Sequence, residues 1–258
     1  MSETKAVKPV LKISNLSLER DKKNVIKGLN LEIGKGEIHI LMGKNGSGKS
    51  TAALSVAGYP GVEIKSGKIF FNGKNINEMS PVDRFKSGIF LAFQNPPMIE
   101  GLTVSALIRR SVSSLGILSP IAETKKRLAP FLPILKIDES FLEKQVNKDM
   151  SGGEKKKSEI LQLVAADPKI AILDEIDSGA DIPTIKQFGK VLNLLKKRGT
   201  SFIIITHYEK LIKYLAPDYI HILNGGKIVF SGDVKSQAGI LKRIEKEGFD
   251  SFNEKRTQ

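Results

Sequence analysis

The sequence predicts an α/β fold: a core of parallel strands, an N-terminal antiparallel β layer and an α-helical insert. Three observations support this prediction. Two stretches near the N-terminus alternate between apolar and polar residues, which is typical of half-buried antiparallel strands. Short apolar stretches then alternate with helical patterns, which is typical of buried parallel strands joined by helices. Between about residues 95 and 166 the pattern is almost wholly helical, which indicates an insert.

The predicted strands follow one another in a regular order along the chain. The two N-terminal ones should pair as a hairpin, and the last one should form a second hairpin near the C-terminus. Pro96 and Pro97 end one of the core strands, because proline cannot continue a strand ladder. The predicted strands are 10–19, 24–33, 37–42, 67–73, 88–93, 169–176, 200–207, 218–223 and 225–232, and helices are predicted at about 48–58 and 182–197.

These elements predict two structural units. We expect a catalytic α/β core with its β layer from residues 1–94 and 167–258, and a helical subdomain from residues 95–166. The chain has 258 residues, which is long enough for a sizeable hydrophobic core.

Composition restricts the classes of partner and of metal site. The net charge of +13 permits anionic ligands or nucleic acid, but the basic residues are spread along the chain, so no nucleic acid partner is predicted. The chain contains no cysteine, which excludes disulfides and thiolate ligation of a metal or cluster by this chain. No apolar run approaches the roughly 18–20 residues of a membrane helix, so direct membrane insertion is not expected. The N-terminal residues lack the apolar core of a secretory signal.

The stretch GKNGSGKST fits the pattern G-x-x-x-x-G-K-[S/T], directly after a predicted strand and at the start of a predicted helix. In this context backbone N–H groups and the helix N-terminus form a cradle for phosphates. Lys49 would reach the β- and γ-phosphates, and Ser50 would bind Mg²⁺. The candidate nucleotide-binding residues here are Gly43, Asn45, Gly46, Ser47, Gly48, Lys49, Ser50 and Thr51.

A second candidate site is the apolar strand IAILDE, which ends in two carboxylates. Asp174 at its carboxyl end would hold Mg²⁺ through water. Glu175 would act as the general base that polarises the attacking water. This pattern alone is weak, because many strands end in Asp or Glu, but its pairing with the phosphate loop makes it specific.

Two further polar residues end predicted strands. Gln94 follows GIFLAF, where its amide would contact Mg²⁺ and the attacking water, although the local sequence alone favours a plain polar residue at a strand end. His207 follows FIIIT, at the edge of a parallel sheet where ligands bind. His39 and His221 lie inside predicted strands, and we interpret both as structural.

The stretch DMSGGEKKKSEI places Gly152 and Gly153 at the start of a helix, where glycine is costly unless something approaches the backbone. Neither a nucleophile nor a metal-ligating cluster stands beside them in the sequence. The chemistry of this stretch alone therefore does not explain them.

The order of these sites resembles the ATP-binding cassette (ABC) ATPases, whose P-loop NTPase core carries Walker A, Q-loop, signature, Walker B, D-loop and H-loop motifs. The resemblance implies that ATP is the substrate and Mg²⁺ the cofactor. It also implies a transient, ATP-dependent head-to-tail dimer. Ser151, Gly152 and Gly153 of one copy would then close over the γ-phosphate held by the other copy. The stretch SGAD, which ends at Asp181, matches the D-loop of the same dimer seam.

Within that family, several stretches are similar to the soluble SufC branch, which serves iron–sulfur cluster assembly. These are MSGGEKKKSEI, DEIDSGAD, FLAFQNPPMIEGLTV, THYEKLIKYLAPDYIHILNGGKIVFSGD and LKRIEKEGFDSF. The similarity implies SufB- and SufD-like scaffold partners and a cytoplasmic location, or the stroma of a plastid-type organelle if the source is eukaryotic. The alternative is the ATP-binding subunit of a membrane transporter. A nucleic-acid-linked ABC ATPase would need coiled coils, zinc modules or a second cassette, which the sequence lacks.

Two departures from the family pattern concern the nucleotide site. Lys44 stands where the family mostly has proline, and Arg20 stands near the position of an adenine-stacking aromatic residue. Arginine also stacks on bases, but the preference for ATP over GTP rests on the resemblance alone. The connection NPPMIEGLTV is apolar for an exposed segment, so we expect partner docking between Gln94 and about residue 115.

Overall fold

The computed structural model describes residues 8–117, 120–206, 209–234 and 239–252. Strands occur at β1 (Leu11–Arg20), β2 (Lys23–Ile33), β3 (Ile38–Met42), β4 (Val62–Phe71), β5 (Lys74–Asn75), β6 (Ile89–Ala92), β7 (Ile170–Asp174), β8 (Ser201–Ile205), β9 (Tyr219–Asn224) and β10 (Lys227–Asp233). Helices occur at α1 (Lys49–Ala57), α2 (Pro81–Ser87), α3 (Val104–Ser114), α4 (Pro120–Leu128), α5 (Leu132–Leu135), α6 (Gly152–Ala166), α7 (Ile182–Lys197), α8 (Glu209–Tyr214) and α9 (Ile240–Glu247).

The larger sheet has the strand order β10-β9-β3-β8-β7-β6. Its strands from β9 to β6 pair in parallel, and β10 pairs antiparallel with β9 as the predicted C-terminal hairpin. The central strand β3 leads directly into the phosphate loop, Gln94 follows β6, and β7 ends at Asp174 beside Glu175. Because the carboxyl ends of parallel strands share one edge of a sheet, this topology gathers the candidate residues there.

The smaller sheet is antiparallel, with the order β2-β1-β4-β5. The predicted N-terminal hairpin is confirmed, since β1 pairs with β2. The predicted strand at 67–73 was too short, because β4 begins at Val62. Gly67 lies inside the strand at a register shift, where a Cβ would collide with the backbone of Asn15. Glycine there marks a close approach of two strands rather than a strand end.

Two apolar clusters form the core. One lies between the two sheets and encloses α1, so the helix that follows the phosphate loop is held on both sides. The other joins one face of the parallel sheet to α3, α6 and α7, with Phe131, Phe188 and Phe202 fully buried. The segment after the phosphate loop is therefore rigidly positioned by packing.

The region between β6 and β7 is helical, as the sequence predicted. Helix α3 buries Val104, Ile108 and Val112, which lie one above another at a spacing of four residues. These side chains belong to the same apolar cluster as the parallel sheet. The division of the chain into a core and a separate helical subdomain remains a prediction.

Helix α2 was not predicted, although its start signal is in the sequence. Ser80 accepts a hydrogen bond from Asp83 N–H at 3.2 Å, and Pro81 occupies the first helical turn, where its missing N–H costs nothing. Across the described ranges, no helix is both long enough and apolar enough to span a bilayer.

Candidate nucleotide-binding site

The phosphate loop joins Met42 of β3 to Lys49 of α1 through a backbone that only glycine adopts readily. Gly43, Gly46 and Gly48 have φ angles of +150°, +76° and +107°. A Cβ on Gly43 would collide with the carbonyl oxygen of Leu223, and one on Gly48 would lie 2.6 Å from Ile26 Cδ1. The glycines of the predicted motif are therefore required by the loop's own geometry.

A cavity of about 810 Å³ opens at this loop. It brings the predicted residues Asn45, Gly46, Gly48, Lys49, Ser50 and Thr51 together with Gln94 and Glu175, which lie far apart in the sequence. Arg20, Asp21 and Val25 line it as well. The β1–β2 turn thus supplies one wall of the cavity. This agrees with the position at which the sequence suggested a base-stacking residue, although the stacking role itself is untested.

Lys49 is buried at the base of this cavity, with 5% of its surface exposed. Its ammonium group donates hydrogen bonds to Gly43 O at 2.8 Å and Lys44 O at 2.9 Å. Burial lowers the pKa of Lys49, and the charges of Glu175 and Asp174 oppose that shift. The two hydrogen bonds hold the ammonium group at the loop, where it can present a compact positive charge to an anion.

Asp174 and Ser50 have the features expected of a Mg²⁺ site. Burial raises the pKa of Asp174, and a hydrogen bond with Ser50 opposes that shift. Asp174 Oδ1 is buried and finds no hydrogen-bond partner among the described residues. No group of three or more His, Cys, Asp or Glu able to hold a metal occurs in the described part of the chain. Mg²⁺ in nucleotide sites needs only one or two carboxylates, because phosphates and water complete its shell.

Glu175 has an unusual backbone conformation. Its φ is +51°, which costs a residue with a side chain about 1–3 kcal/mol. Its N–H donates to Ile205 O at 3.0 Å, and Glu175 Oε2 accepts a 2.7 Å hydrogen bond from Gln94 Nε2. The hydrogen bond from Gln94 holds the carboxylate at the edge of the sheet.

His207 lies outside the described residues. The preceding residue, Thr206, donates a 2.7 Å hydrogen bond to Asp177 Oδ2. Asp177 is buried, and burial raises its pKa. No role was predicted for Asp177, because a carboxylate that follows a strand does not by itself indicate a functional site.

The signature stretch begins helix α6 with a capping box. Ser151 Oγ accepts from Glu154 N–H at 3.2 Å, and Glu154 Oε2 accepts from Ser151 N–H at 2.9 Å. The hydrogen bond from Lys144, followed by those from Ser151, lowers the pKa of Glu154 to about 2. This arrangement explains the serine and glutamate of the motif locally, and leaves Ser151 exposed at the helix N-terminus.

The two glycines of the signature differ in their surroundings. A Cβ on Gly152 would lie 3.0 Å from the carbonyl oxygen of Gly179, so the helix start packs tightly on the loop 178–181. A Cβ on Gly153 would come no closer than 4.0 Å to Thr184 Oγ1. Packing inside the chain therefore explains Gly152 but not Gly153. Residues 151–153 do not line the cavity at the phosphate loop, so the prediction that they complete a partner's site is untested.

Asp181 has a structural role of its own. Asp181 Oδ1 accepts a 2.9 Å hydrogen bond from Thr184 N–H and so caps helix α7. The hydrogen bonds from Thr184 lower the pKa of Asp181. The predicted contribution of Asp181 to a nucleotide site shared with a second copy remains a prediction.

Helix α6 carries a buried ion pair that was not predicted from the sequence. Lys156 Nζ donates to Glu159 Oε2 at 3.1 Å and to the carbonyl oxygens of Phe93 and Gln94 at 3.0 Å each. Glu159 Oε1 accepts from Phe93 N–H at 3.0 Å. Burial raises the pKa of Glu159, and Lys156 opposes that shift. The pair therefore attaches the backbone at Gln94 to the signature helix. The sequence signal that could have revealed it is the presence of two opposite charges on the apolar side of α6.

A comparison with protein families agrees with this geometry. The family model described as ABC transporter matches residues 26–178, which include the phosphate loop, Gln94, the signature and Glu175. The chain belongs to the ABC family of ATPases.

Relatives of this ABC ATPase match nearly its whole length. "Probable ATP-dependent transporter ycf16" of Cyanophora paradoxa is 40% identical over 254 residues, which cover 95% of each chain. The structure of an ATP-binding subunit of an ABC transporter superposes with a TM-score of 0.79 at 24% identity, covering 95% of this chain and 98% of that one. A dimeric bacterial ABC transporter cassette superposes with a TM-score of 0.75 at 22% identity, covering 87% and 98%. The predicted fold class is confirmed.

Proposed function

We propose that this ABC ATPase hydrolyses ATP to change the conformation of a SufB–SufD-type scaffold during iron–sulfur cluster assembly. The observation that carries the ATPase part is the convergence of Lys49, the Ser50–Asp174 pair, Gln94 and Glu175 on one edge of the sheet. The choice of scaffold rests on the sequence similarity to the SufC branch. The proposed location is the cytoplasm, or the stroma of a plastid-type organelle.

The proposed chemistry uses few residues. The phosphate loop binds the nucleotide phosphates through backbone N–H groups, and Lys49 neutralises charge on the β- and γ-phosphates. Ser50, Asp174 and Gln94 would hold Mg²⁺, which would supply further charge neutralisation. Glu175 accepts a proton from the attacking water. Gln94 orients Glu175, and His207 would be a further catalytic residue that contacts the γ-phosphate.

The proposed active unit contains two copies in head-to-tail orientation. Ser151, Gly152 and Gly153 of one copy cover the γ-phosphate bound to the other, and Asp181 lies along the seam. The open space at Gly153 and the exposure of Ser151 support this, because a ligand can approach that backbone. Dimeric ABC cassettes of similar fold lend further support.

The proposed docking surface for the scaffold follows Gln94. Met98 is 55% exposed and Ile99 is 38% exposed, so two adjacent large apolar side chains face solvent, as interaction surfaces often do. This surface adjoins the backbone that Lys156 and Glu159 hold, so a docked partner has a direct connection to the nucleotide site.

The alternative function is the ATP-binding subunit of a membrane transporter. The name of the Cyanophora paradoxa relative, a probable ATP-dependent transporter, favours it. A native pull-down from the source cell, followed by mass spectrometry, separates the two. Soluble SufB- and SufD-like proteins support the proposal, whereas a membrane permease in their place supports the alternative.

A further inference from the structure

A second cavity lies at the amino-terminal end of strand β3, away from the phosphate loop. Its volume is about 580 Å³, and its walls include Glu37, His39, His221 and Ser231. These side chains come from the turn before β3 and from β3, β9 and β10. The ATPase mechanism proposed above uses none of them.

The four side chains form one continuous line of hydrogen bonds. Ser231 Oγ lies 2.8 Å from His221 Nδ1, and His221 Nε2 lies 2.9 Å from His39 Nδ1. His39 Nε2 lies 2.9 Å from Glu37 Oε2. Because Ser231 and His221 are direct cross-strand partners in the β9–β10 hairpin, the register of that hairpin holds the first contact in place.

The direction of the protons along this line follows from the chemistry of its two ends. Burial lowers the pKa of His39, and burial followed by the charge of His39 lowers the pKa of His221 to about 3. Each imidazole therefore carries a single proton at neutral pH. The carboxylate of Glu37 only accepts, so His39 donates from Nε2, and His221 in turn donates from Nε2 to His39. His221 Nδ1 is left as an acceptor, and Ser231 must donate to it.

Ser231 is the exposed end of this line, whereas both histidines are buried. Among the residues that the structure describes, the exposed serines Ser80 and Ser140 have a carboxylate partner instead of an imidazole. Ser80 Oγ donates to Asp83 Oδ2 at 2.7 Å, and Ser140 Oγ donates to Asp138 Oδ1 at 2.5 Å. An imidazole nitrogen in line with a serine hydroxyl is the arrangement that activates serine nucleophiles.

We propose that Ser231 is a base-activated nucleophile that accepts acyl groups from small esters or thioesters in this cavity. Ser231 Oγ bonds to the carbonyl carbon, and the bond from that carbon to the leaving oxygen or sulfur breaks. The hydroxyl proton passes to His221 Nδ1, the His221 Nε2 proton to His39 Nδ1, and the His39 Nε2 proton to Glu37 Oε2. Both imidazoles end neutral, which their burial requires, and the leaving group departs as an anion that takes a proton from solvent.

The test incubates the full-length protein with p-nitrophenyl acetate, follows release of p-nitrophenolate, and locates the acetyl group by peptide mass spectrometry. General-base assistance is worth about 10²–10⁴-fold in rate. Acetylation of Ser231 is therefore expected to be at least about 100-fold faster than that of Ser80 or Ser140. Ser231→Ala should remove the fast phase and leave ATP hydrolysis unchanged.

Glu37→Gln is the matched variant that separates activation from structure. A glutamine oxygen still accepts from His39 Nε2 and from Gly34 N–H, which donates to Glu37 at 2.6 Å, but an amide does not take up the proton. We expect an unchanged unfolding temperature and at least tenfold slower acetylation of Ser231. The proposal would be overturned if Ser231 in this variant were acetylated at the wild-type rate, or if Ser231 reacted no faster than Ser80 and Ser140. The hydrogen bonds would then serve only to stabilise the fold.

Discussion

The side-chain amide of Gln94 donates a 2.7 Å hydrogen bond to Glu175 Oε2, and the backbone of the same glutamine is bound by Lys156 of the signature helix. One residue therefore contacts both the proposed general base and the helix that would cover a partner's nucleotide. Any movement of α6 relative to β7 changes the Gln94–Glu175 contact. This relationship makes Glu175 the first residue to test.

Glu175→Gln should retain nucleotide binding and lose hydrolysis, because glutamine keeps the size of the side chain but does not accept a proton. Loss of a general base lowers the rate by about 10²–10⁴-fold. Steady-state ATP hydrolysis by the assembled complex and titration with a fluorescent ATP analogue measure the two effects. The exposed carboxylate of Glu100 provides the control, since Glu100→Gln should leave both unchanged. Near-normal hydrolysis by Glu175→Gln would reject the assignment.

A composite site predicts recovery of activity in mixed dimers. Lys49→Ala removes the positive charge that neutralises the β- and γ-phosphates, so it should weaken MgATP binding. Ser151→Arg places a bulky side chain in the signature loop and should block it. Each variant alone should be inactive in the complex. A mixed dimer has one doubly damaged site and one intact site, so mixing the variants should restore part of the activity. Full activity of Ser151→Arg by itself would mean that the motif only starts a helix.

Removal of one member of the buried Lys156–Glu159 pair should reduce both stability and hydrolysis. Lys156→Met leaves Glu159 buried without its charge partner, and such changes cost about 3–5 kcal/mol. The exposed Lys12–Glu32 pair is the control, because Lys12→Ala should cost less than about 1 kcal/mol. Urea unfolding measures the stability of both variants, and steady-state ATP hydrolysis by the assembled complex measures the effect on activity. A urea midpoint for Lys156→Met equal to that of Lys12→Ala would contradict the role given to the pair.

Acidification should destabilise the protein through His39 and His221. The pKa of each histidine is lower in the folded protein than the ordinary value of 6.5 that applies in the unfolded chain. Below pH 6.5 the unfolded chain therefore binds more protons than the folded protein. This contribution leaves stability unchanged above pH 6.5 and decreases it as the pH falls toward about 3, the folded pKa of His221. Unfolding temperatures between pH 7.5 and 5 should fall less steeply in His221→Asn than in the wild type. Equal slopes would show that other groups control the acid response.

Substitution of Met98 or Ile99 by lysine should prevent assembly with the partner and leave ATP binding intact. The reason is their exposure beside Gln94, where a charge would have to be desolvated in the interface. Val82 on α2 is 58% exposed and serves as the matched control for the same substitution. Size-exclusion chromatography of the reconstituted complex measures the effect. Normal assembly of both variants would place the docking surface elsewhere, and loss of folding would show that the side chains are needed for packing.

Most of the fold could be predicted from the sequence because its signals are local. The phosphate loop follows from glycine spacing, and helix α7 begins and ends at Ile182 and Lys197, as its pattern predicted. Three features were not predicted, because they depend on contacts between segments that are distant in the sequence. These are the extension of β4 through Gly67, the pairing of Lys156 with the backbone at Phe93, and the hydrogen-bonded line from Ser231 to Glu37. His39 and His221 were correctly placed in strands, but no spacing in the sequence indicates that their rings meet.

The contact between Gly152 and Gly179 limits how this protein can change over evolutionary time. Any side chain at position 152 would lie 3.0 Å or less from the carbonyl oxygen of Gly179, so the loop 178–181 would have to shift first. A library that randomises position 152 alone should return almost only glycine among functional clones. A library that randomises positions 152 and 178–181 together should return larger residues at 152 only with an altered loop. The two motifs are therefore expected to change together, although Gly152 and Gly179 are 27 positions apart in the sequence.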